Sequence, residues 1–232
     1  MEPNMAARVI LLDIEGTTSS IEYVYDVLFP YVRRELPGYL DTHWNDASVQ
    51  SACAKIASES GRADFGVTKE NVLAEVARLM DGDVKSTGLK ELQGLVSGEG
   101  YASGKLRAHF YADVPPALEK WTKAGIKCCV YSSGSIEAQK NFYRYADAGD
   151  LSKFISANFD TTTGPKRERA SYEAIASALK TTSGEILFCS DVLAELDAAR
   201  DAGMQTVLVV RPGNKPVAAG HAHRVIHSFA EI

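Results

Sequence analysis

The sequence has few cysteines, and none of them has the spacing of a zinc site or a redox pair. The chain contains four among 232 residues and no C-x-x-C pair, which excludes the common zinc-binding and thioredoxin-like motifs. Three of the four lie in apolar runs with the character of strands. We therefore expect small buried hydrophobic residues in a reducing cytoplasm. The four are Cys53, Cys128, Cys129 and Cys189.

Long apolar runs are also missing. No segment approaches the roughly 20 residues that a transmembrane helix needs. The first residues, MEPNMAAR, lack the basic and then apolar order of a signal peptide. These absences predict a cytoplasmic protein without a membrane partner, and in a eukaryotic source a nuclear location would fit as well.

An excess of positive charge is the third absence. The formal net charge is -5 at pH 7, which does not favour a nucleic-acid partner because such binding needs a basic face. An anionic substrate would need local positive charge or a metal ion. The composition, 45% hydrophobic and 24% charged, is that of an ordinary globular protein, and the length allows one large domain or two small ones.

The pattern of apolar residues changes along the chain. A strand is predicted from Val9 to Leu12, and amphipathic helices without a convincing strand follow from about Ser19 to Ala108. Beyond them, strands alternate with helices. IKCCVY, EILFCSD and QTVLVVRPG predict strands, FISANFD predicts a short one, and Asp113 is placed to cap the helix VPPALEKWTKAG.

Such alternation predicts a parallel sheet covered by helices on both faces. We therefore predict an α/β fold with a doubly wound, Rossmann-like parallel-sheet core. Residues 1–18 and 109–232 would form this core, and residues 19–108 would form a helical cap inserted after the first strand. In such sheets ligands bind beyond the carboxyl ends of the strands.

Two carboxylates directly follow the first strand, in RVILLDIEGTTSS. Burying one charge is costly unless it is paired or bound to a metal, and a second like charge adds to that cost. Asp13 is the candidate nucleophile, because a carboxylate can attack phosphorus and form an aspartyl phosphate. Glu15 would protonate the leaving oxygen and later accept a proton from water, and Gly16 permits a tight turn. A Mg²⁺ ion would relieve the repulsion.

Further polar groups follow the other predicted strands. Hydroxyls and N–H groups beside a glycine suit phosphate oxygens, a lysine supplies a mobile positive charge, and two more carboxylates could complete a metal site. These groups are Ser132, Ser133 and Gly134, then Lys166, and finally Asp191 and Glu195.

Each of these residues also has an ordinary explanation. The pattern D-x-E-G is common in turns, and the residues from Ser132 to Gly134 are compatible with a plain turn. A lone lysine such as Lys166 is most often solvated, and Asp191 could cap the following helix. The coincidence of four signals at strand ends of one fold type favours a phosphoryl-transfer site instead.

The four signals resemble the motifs of the haloacid dehalogenase superfamily. Its first motif, D-x-D-G-T, stands here as DIEGT, with Glu15 where most members carry Asp. Ser132 matches the second motif, Lys166 the third, and SDVLAEL the acidic fourth. Longer blocks resemble the enolase-phosphatase (acireductone synthase) family of methionine salvage. These blocks are DIEGTTSSIEYVYDVLFPY, HFYADVPPAL, YSSGSIEAQK, NFDTTTGPK and VVRPGN, and the match is weakest between about Thr42 and Gly98.

The resemblance implies one Mg²⁺ per subunit and a small phosphorylated diketone, 2,3-diketo-5-methylthiopentyl 1-phosphate, as substrate. Enolisation and then dephosphorylation would occur at one site. It further implies that Asp13, Glu15 and Asp191 are metal residues, with Glu15 binding through its backbone carbonyl and Glu195 possible in the outer shell. Ser132, Ser133, Gly134 and Lys166 would contact substrate, with Asp13, Glu15 and Lys166 catalytic. A monomer is expected.

Other interpretations remain open at this point. A phosphatase for a different small phosphate monoester would share the acidic residues. A signalling receiver domain is about half as long and lacks the helical insert. A metal-free dehalogenase does not need Glu15, and a binding protein that has lost catalysis would not need the full acidic set. Outside the motifs, Arg211 is expected to help close the site. His221, His223 and His227 are expected in a surface turn that leads to a terminal strand.

Overall fold

The computed structural model describes residues 7–84, 86–218 and 220–232. The chain forms two compact units. One runs to Tyr23 and resumes from Arg107 to Ile232, and the other comprises Val24–Leu106. They are called the sheet unit and the helical unit below.

The sheet unit is built on six strands, all paired in parallel, in the order β3-β2-β1-β4-β5-β6. This confirms the predicted parallel α/β fold. The strands are β1 (Val9–Leu12), β2 (Lys127–Tyr131), β3 (Ile155–Phe159), β4 (Ile186–Ser190), β5 (Gln205–Val209) and β6 (Arg224–Ile226).

The central strand β1 determines where the candidate site residues lie. All four of its residues are buried, which agrees with an apolar run covered on both faces. Leu12 is in register with Val130 on β2 and with Cys189 on β4. Because parallel strands end at the same edge, the segments that follow these three strands emerge side by side.

Four helices accompany the strands of the sheet unit: α5 (Val114–Lys123), α6 (Ile136–Arg144), α7 (Arg169–Ala178) and α8 (Leu193–Asp201). Ser135 caps α6 by accepting a hydrogen bond from Ala138 N at 3.2 Å. The predicted capping of α5 by Asp113 is wrong, because its side chain makes no cap bond. The carboxylate instead accepts from Arg211 Nη1 at 2.9 Å and from Phe229 N at 2.6 Å.

The helical unit contains α1 (Phe29–His43), α2 (Ala47–Glu59), α3 (Lys69–Asp81) and α4 (Thr87–Ala102). No strand occurs in the described part of this unit. The first predicted helix begins differently from expectation, as a π-helix over Tyr23–Leu28. Pro30 has no N–H to donate one turn back, which favours a wider turn before α1. Over the residues that the structure describes, no helix is both long enough and apolar enough to cross a bilayer.

All four cysteines are free and fully buried. Burial raises the pKa of Cys128 to about 12 and that of Cys129 to about 11. These thiols are packing residues, as the sequence predicts, and their protonated form predominates at neutral pH.

Candidate active site

The Asp13 carboxylate lies directly at the end of β1 and is held by neighbouring main-chain groups. The residue is 5% exposed. Its N–H donates to Cys189 O on β4 at 3.0 Å, and its Oδ1 accepts from Ile14 N at 2.8 Å. Thr18 Oγ1 donates to the Asp13 carbonyl at 3.1 Å. The carboxylate is therefore fixed in position, as a group that must attack in one direction requires.

Lys166 joins Asp13 to Glu195. Its Nζ lies 2.7 Å from Asp13 Oδ1 and 2.7 Å from Glu195 Oε2, and its side chain is 9% exposed. The solvated position that is usual for a lone lysine is therefore not found. Burial alone would lower the pKa of Lys166, but the two carboxylates raise it above its usual value. The ammonium stays charged and neutralises part of the acidic cluster.

Three hydroxyl groups hold the loop that carries Lys166. Tyr172 Oη donates to the Lys166 carbonyl at 2.6 Å, Ser171 Oγ to Pro165 O at 2.8 Å, and Tyr131 Oη to Gly164 O at 2.7 Å. These residues were not predicted from the sequence. The available signal was a tyrosine at the end of the β2 run and a Ser-Tyr pair early in α7.

Ser190, the last residue of β4, also contacts the cluster and was not singled out from the sequence. Its Oγ lies 3.1 Å from Glu195 Oε2 and 3.4 Å from Asp13 Oδ2, and it accepts from Val192 N at 3.1 Å. The hydroxyl therefore links the end of β4 to the nucleophile candidate and to the start of α8.

The charged form of the Asp191 carboxylate is disfavoured by its protein surroundings. Among the described residues, its buried Oδ1 has no hydrogen-bond partner. Burial and the nearby Asp13 carboxylate raise the pKa of Asp191 to about 7. Burial and Asp13 likewise raise the pKa of Glu195. Asp191 does not cap α8, whose N-cap is Val192. A hard cation would satisfy such oxygens and remove the repulsion between them.

The turn after β1 packs against Asp191. Gly16 adopts φ +73, and a Cβ atom on it would lie 2.4 Å from Asp191 Oδ2. A glycine is therefore required by both the backbone conformation and the close approach. Glu15, just before it, is exposed, in contrast to buried Asp13.

Side chains alone do not build a metal site here. In the chain as described, no group of three His, Cys, Asp or Glu side chains is arranged to hold an ion. A cation between Asp13 and Asp191 would thus need other oxygens, and the Glu15 backbone carbonyl that the superfamily pattern implies is one such group. The roles of Asp13, Glu15 and Asp191 as metal residues stay predictions.

The loop of Ser132, Ser133 and Gly134 follows β2, at the strand end next to Asp13. Ser132 and Gly134 are half-buried and Ser133 is exposed. Gln139, 1% exposed, holds this loop, because its Nε2 donates to Gly134 O and to Phe159 O, both at 2.8 Å. The role of these serines toward substrate stays a prediction.

Two residues outside the motifs are more buried than expected. Arg211 is 6% exposed and donates through Nε to Thr17 O at 3.0 Å. It is therefore buried within the sheet unit, in contact with the turn that follows β1. His223 is also 6% exposed. Its Nδ1 lies 2.7 Å from Thr206 Oγ1 and its Nε2 lies 3.1 Å from Asp197 Oδ1. The predicted terminal strand is confirmed as β6, but the predicted surface position of His223 is wrong, because these two polar partners make its burial possible.

The chain is similar to known proteins in both sequence and fold. Residues 7–203 match the haloacid dehalogenase-like hydrolase family. A protein of Pseudomonas aeruginosa (strain LESB58) named enolase-phosphatase E1 is 47% identical, covering 98% of this chain and 99% of that protein. One of Sorangium cellulosum with the same name is 45% identical, with 98% of each covered. The crystal structure of UTR4 protein from Saccharomyces cerevisiae superposes with a TM-score of 0.79 at 35% identity, covering 97% of this chain and all of that one.

Proposed function

This chain belongs to the enolase-phosphatase E1 family of haloacid dehalogenase-like hydrolases, and from that premise we propose that it enolises and then dephosphorylates 2,3-diketo-5-methylthiopentyl 1-phosphate. The product would be 1,2-dihydroxy-3-keto-5-methylthiopentene, formed through an enol phosphate in methionine salvage. The observation that carries the proposal is the buried contact of Lys166 with Asp13 at the end of the central strand.

Asp13 is the nucleophile in this proposal. One of its carboxylate oxygens attacks phosphorus, the P–O bond to the substrate breaks, and an aspartyl phosphate forms. Water then attacks the same phosphorus, which releases phosphate and restores Asp13. Glu15 gives a proton to the leaving oxygen and takes one from the attacking water. Glu15 is an exposed residue in the turn that follows Asp13.

Lys166 neutralises charge throughout the dephosphorylation. Its ammonium holds Asp13 before attack, and it lies within reach of an oxygen of a phosphoryl group bound to Asp13. Ser132, Ser133 and Gly134 offer hydroxyl and N–H groups to the other phosphate oxygens. Ser190 and Glu195 hold Lys166 and Asp13 in place.

The acidic residues fit Mg²⁺. Asp13 and Asp191 would hold it with the Glu15 backbone carbonyl, with Glu195 in the outer shell, because the buried Oδ1 atom of Asp191 has no hydrogen-bond partner among the described residues. When bound, the ion supplies positive charge to the phosphate and to the substrate oxygens. The enolisation step removes a proton from C1, the carbon that bears the phosphate ester and is acidified by the adjacent ketone. A monomeric state, a cytoplasmic location and a cap function for the helical unit stay predictions.

The proposed activity is tested by following both steps together. Purified protein is incubated in D₂O with Mg²⁺ and the diketone phosphate, and deuterium at C1 is measured by NMR beside released phosphate and enol absorbance. We expect C1 exchange, an ultraviolet absorbance and phosphate release. Phosphate release without C1 exchange or enol product would instead support a plain phosphatase for another small monoester.

Removing divalent metal is expected to abolish phosphate release, because Asp13 and Asp191 then repel the anionic substrate. The measurement is turnover after dialysis against EDTA, followed by titration with Mg²⁺. Activity should return with the added metal, and Ca²⁺ should restore it poorly because its coordination is larger and less regular. Full turnover in excess EDTA would contradict the metal assignment and favour the metal-free alternative.

A further inference from the structure

The turn that follows Asp13 accepts hydrogen bonds from two side chains in the loop after β5. Within the turn, the N–H groups of Thr17, Thr18 and Ser19 all donate to Ile14 O, at 3.2, 2.9 and 2.9 Å. Two carbonyl groups of the turn accept hydrogen bonds from other side chains. Asn214 Nδ2 donates to Gly16 O at 2.9 Å, and Arg211 Nε donates to Thr17 O at 3.0 Å.

The Arg211 guanidinium is itself held by polar and aromatic partners through Nε, Nη1 and two rings. Its Nη1 lies 2.9 Å from Asp113 Oδ2 and 3.1 Å from His227 O. Two aromatic rings pack against it, because its Cζ lies 4.5 Å from the ring centroid of Tyr111 and 4.9 Å from that of Phe229. A buried arginine held by an ion pair and by two rings has little rotational freedom. It therefore acts as a rigid donor toward the turn.

Asp113 connects this arginine to the C-terminal segment. Its Oδ2 also accepts from Ser228 Oγ at 3.0 Å and from Phe229 N at 2.6 Å. Asn214 is anchored as well, since its Nδ2 lies 3.4 Å from Val209 O at the end of β5. The two donors are thus attached to the sheet rather than to the turn.

The position of the turn matters for catalysis because of what it carries. Glu15 directly precedes Gly16, and the Gly16 Cα faces the Asp191 carboxylate so closely that a Cβ atom would lie 2.4 Å from Oδ2. A displacement of the turn would therefore move Glu15, the proposed proton-transfer group, and would also shift Asp191. Catalytic rates are sensitive to displacements of about 1 Å, which can cost on the order of 100-fold.

We infer that Arg211 and Asn214 are positioning residues of the reaction, acting through the carbonyl groups of Thr17 and Gly16. They set the turn so that Glu15 and Asp191 meet the substrate in productive geometry, and they contact no substrate atom themselves. This inference rests on the proposed phosphatase function.

The test uses two variants that keep the charge or the size of the side chain. Arg211→Lys retains a positive charge beside Asp113 but removes the Nε donor to Thr17. Asn214→Asp keeps the shape but places an oxygen against Gly16 O. The matched control is Arg224→Lys, since Arg224 is exposed and donates to Glu231 O rather than to a carbonyl group of the turn.

We expect kcat to fall by about 10- to 100-fold in both variants, with KM within about threefold of the wild-type value. Each rate is divided by the concentration of folded active sites, which is measured by beryllofluoride binding. Partial unfolding therefore cannot mimic the effect. Hydrogen exchange of residues 13–20 should become faster while the rest of the sheet unit keeps its protection. The control should match the wild type in every measurement.

Each assay is run with p-nitrophenyl phosphate as well as the diketone phosphate, which separates the two proposals. If the wild type hydrolyses only the nitrophenyl ester, the proposed substrate is wrong. The effect of the two variants on kcat can then still be measured with that ester. A kcat per competent site within twofold of the wild-type value in both variants would overturn the inference. So would a rate loss accompanied by faster exchange across the whole unit, because that is the pattern of general destabilisation. Wild-type protein that hydrolyses neither ester would overturn both proposals.

Discussion

Replacing Asp13 by asparagine is expected to lower phosphate release by roughly four orders of magnitude or more, because covalent catalysis has no substitute at this site. The amide keeps the shape of the side chain but cannot attack phosphorus. The enolisation step needs no attack on phosphorus, so the variant should still exchange the C1 hydrogens with D₂O and accumulate enol phosphate. C1 deuteration, enol absorbance and free phosphate are measured on the same sample.

The control for this prediction is Asp147→Asn, which changes an exposed aspartate of the same unit. It should behave as the wild type. A phosphoryl adduct on Asp13, trapped by acid quench and located by mass spectrometry, would support the assignment directly. Near-normal phosphate release by Asp13→Asn would exclude Asp13 as the nucleophile. Loss of both exchange and enol, with normal Mg²⁺ binding, would show that Asp13 also takes part in proton removal.

The second large effect is expected from Lys166→Met, which removes the ammonium between Asp13 and Glu195 and leaves two buried carboxylates facing each other. Breaking a buried ion pair from one side typically costs about 3 to 5 kcal/mol of unfolding free energy. Phosphate release should fall as well, since the charge that holds Asp13 is lost. Stability is measured by urea unfolding with EDTA present, and activity by phosphate release.

The matched control is Lys123→Met, which breaks the exposed pair with Glu119 at 2.7 Å and should change stability little. Acidic conditions should reduce the loss in Lys166→Met. Burial and the Asp13 charge already raise the pKa of Glu195, so protonation of that carboxyl as the pH falls removes the repulsion. Equal stability losses in the two variants would contradict the buried contact of Lys166.

The sequence was sufficient to locate the strands and the polar groups at their ends. Apolar runs such as Val9–Leu12 identify buried strands, and the parallel arrangement follows from the helices between them. Because parallel strands end at one edge, Asp13 and Asp191 were expected together without any knowledge of the register. The contact of Lys166 with Asp13 was expected from the same argument, although Lys166 lies seven residues beyond the end of β3.

The remainder depends on contacts that local sequence does not encode. The buried position of Arg211 requires Asp113, nearly a hundred residues earlier, and the nearby rings of Tyr111 and Phe229. The burial of His223 requires Thr206 and Asp197. A single side chain in the sequence is compatible with both a solvated and a buried position, and only the assembled core decides between them.

The distribution of the buried thiols gives each unit its own internal reporter of local opening. Cys53 lies in α2 of the helical unit, whereas Cys128, Cys129 and Cys189 lie in the two strands that flank β1. Burial raises the pKa of all four thiols, so a disulfide reagent reaches a reactive thiolate only when the surrounding structure opens. The labelling rate of Cys53, compared with that of the three strand cysteines, therefore reports sub-global unfolding of one unit separately from the other in the natural sequence.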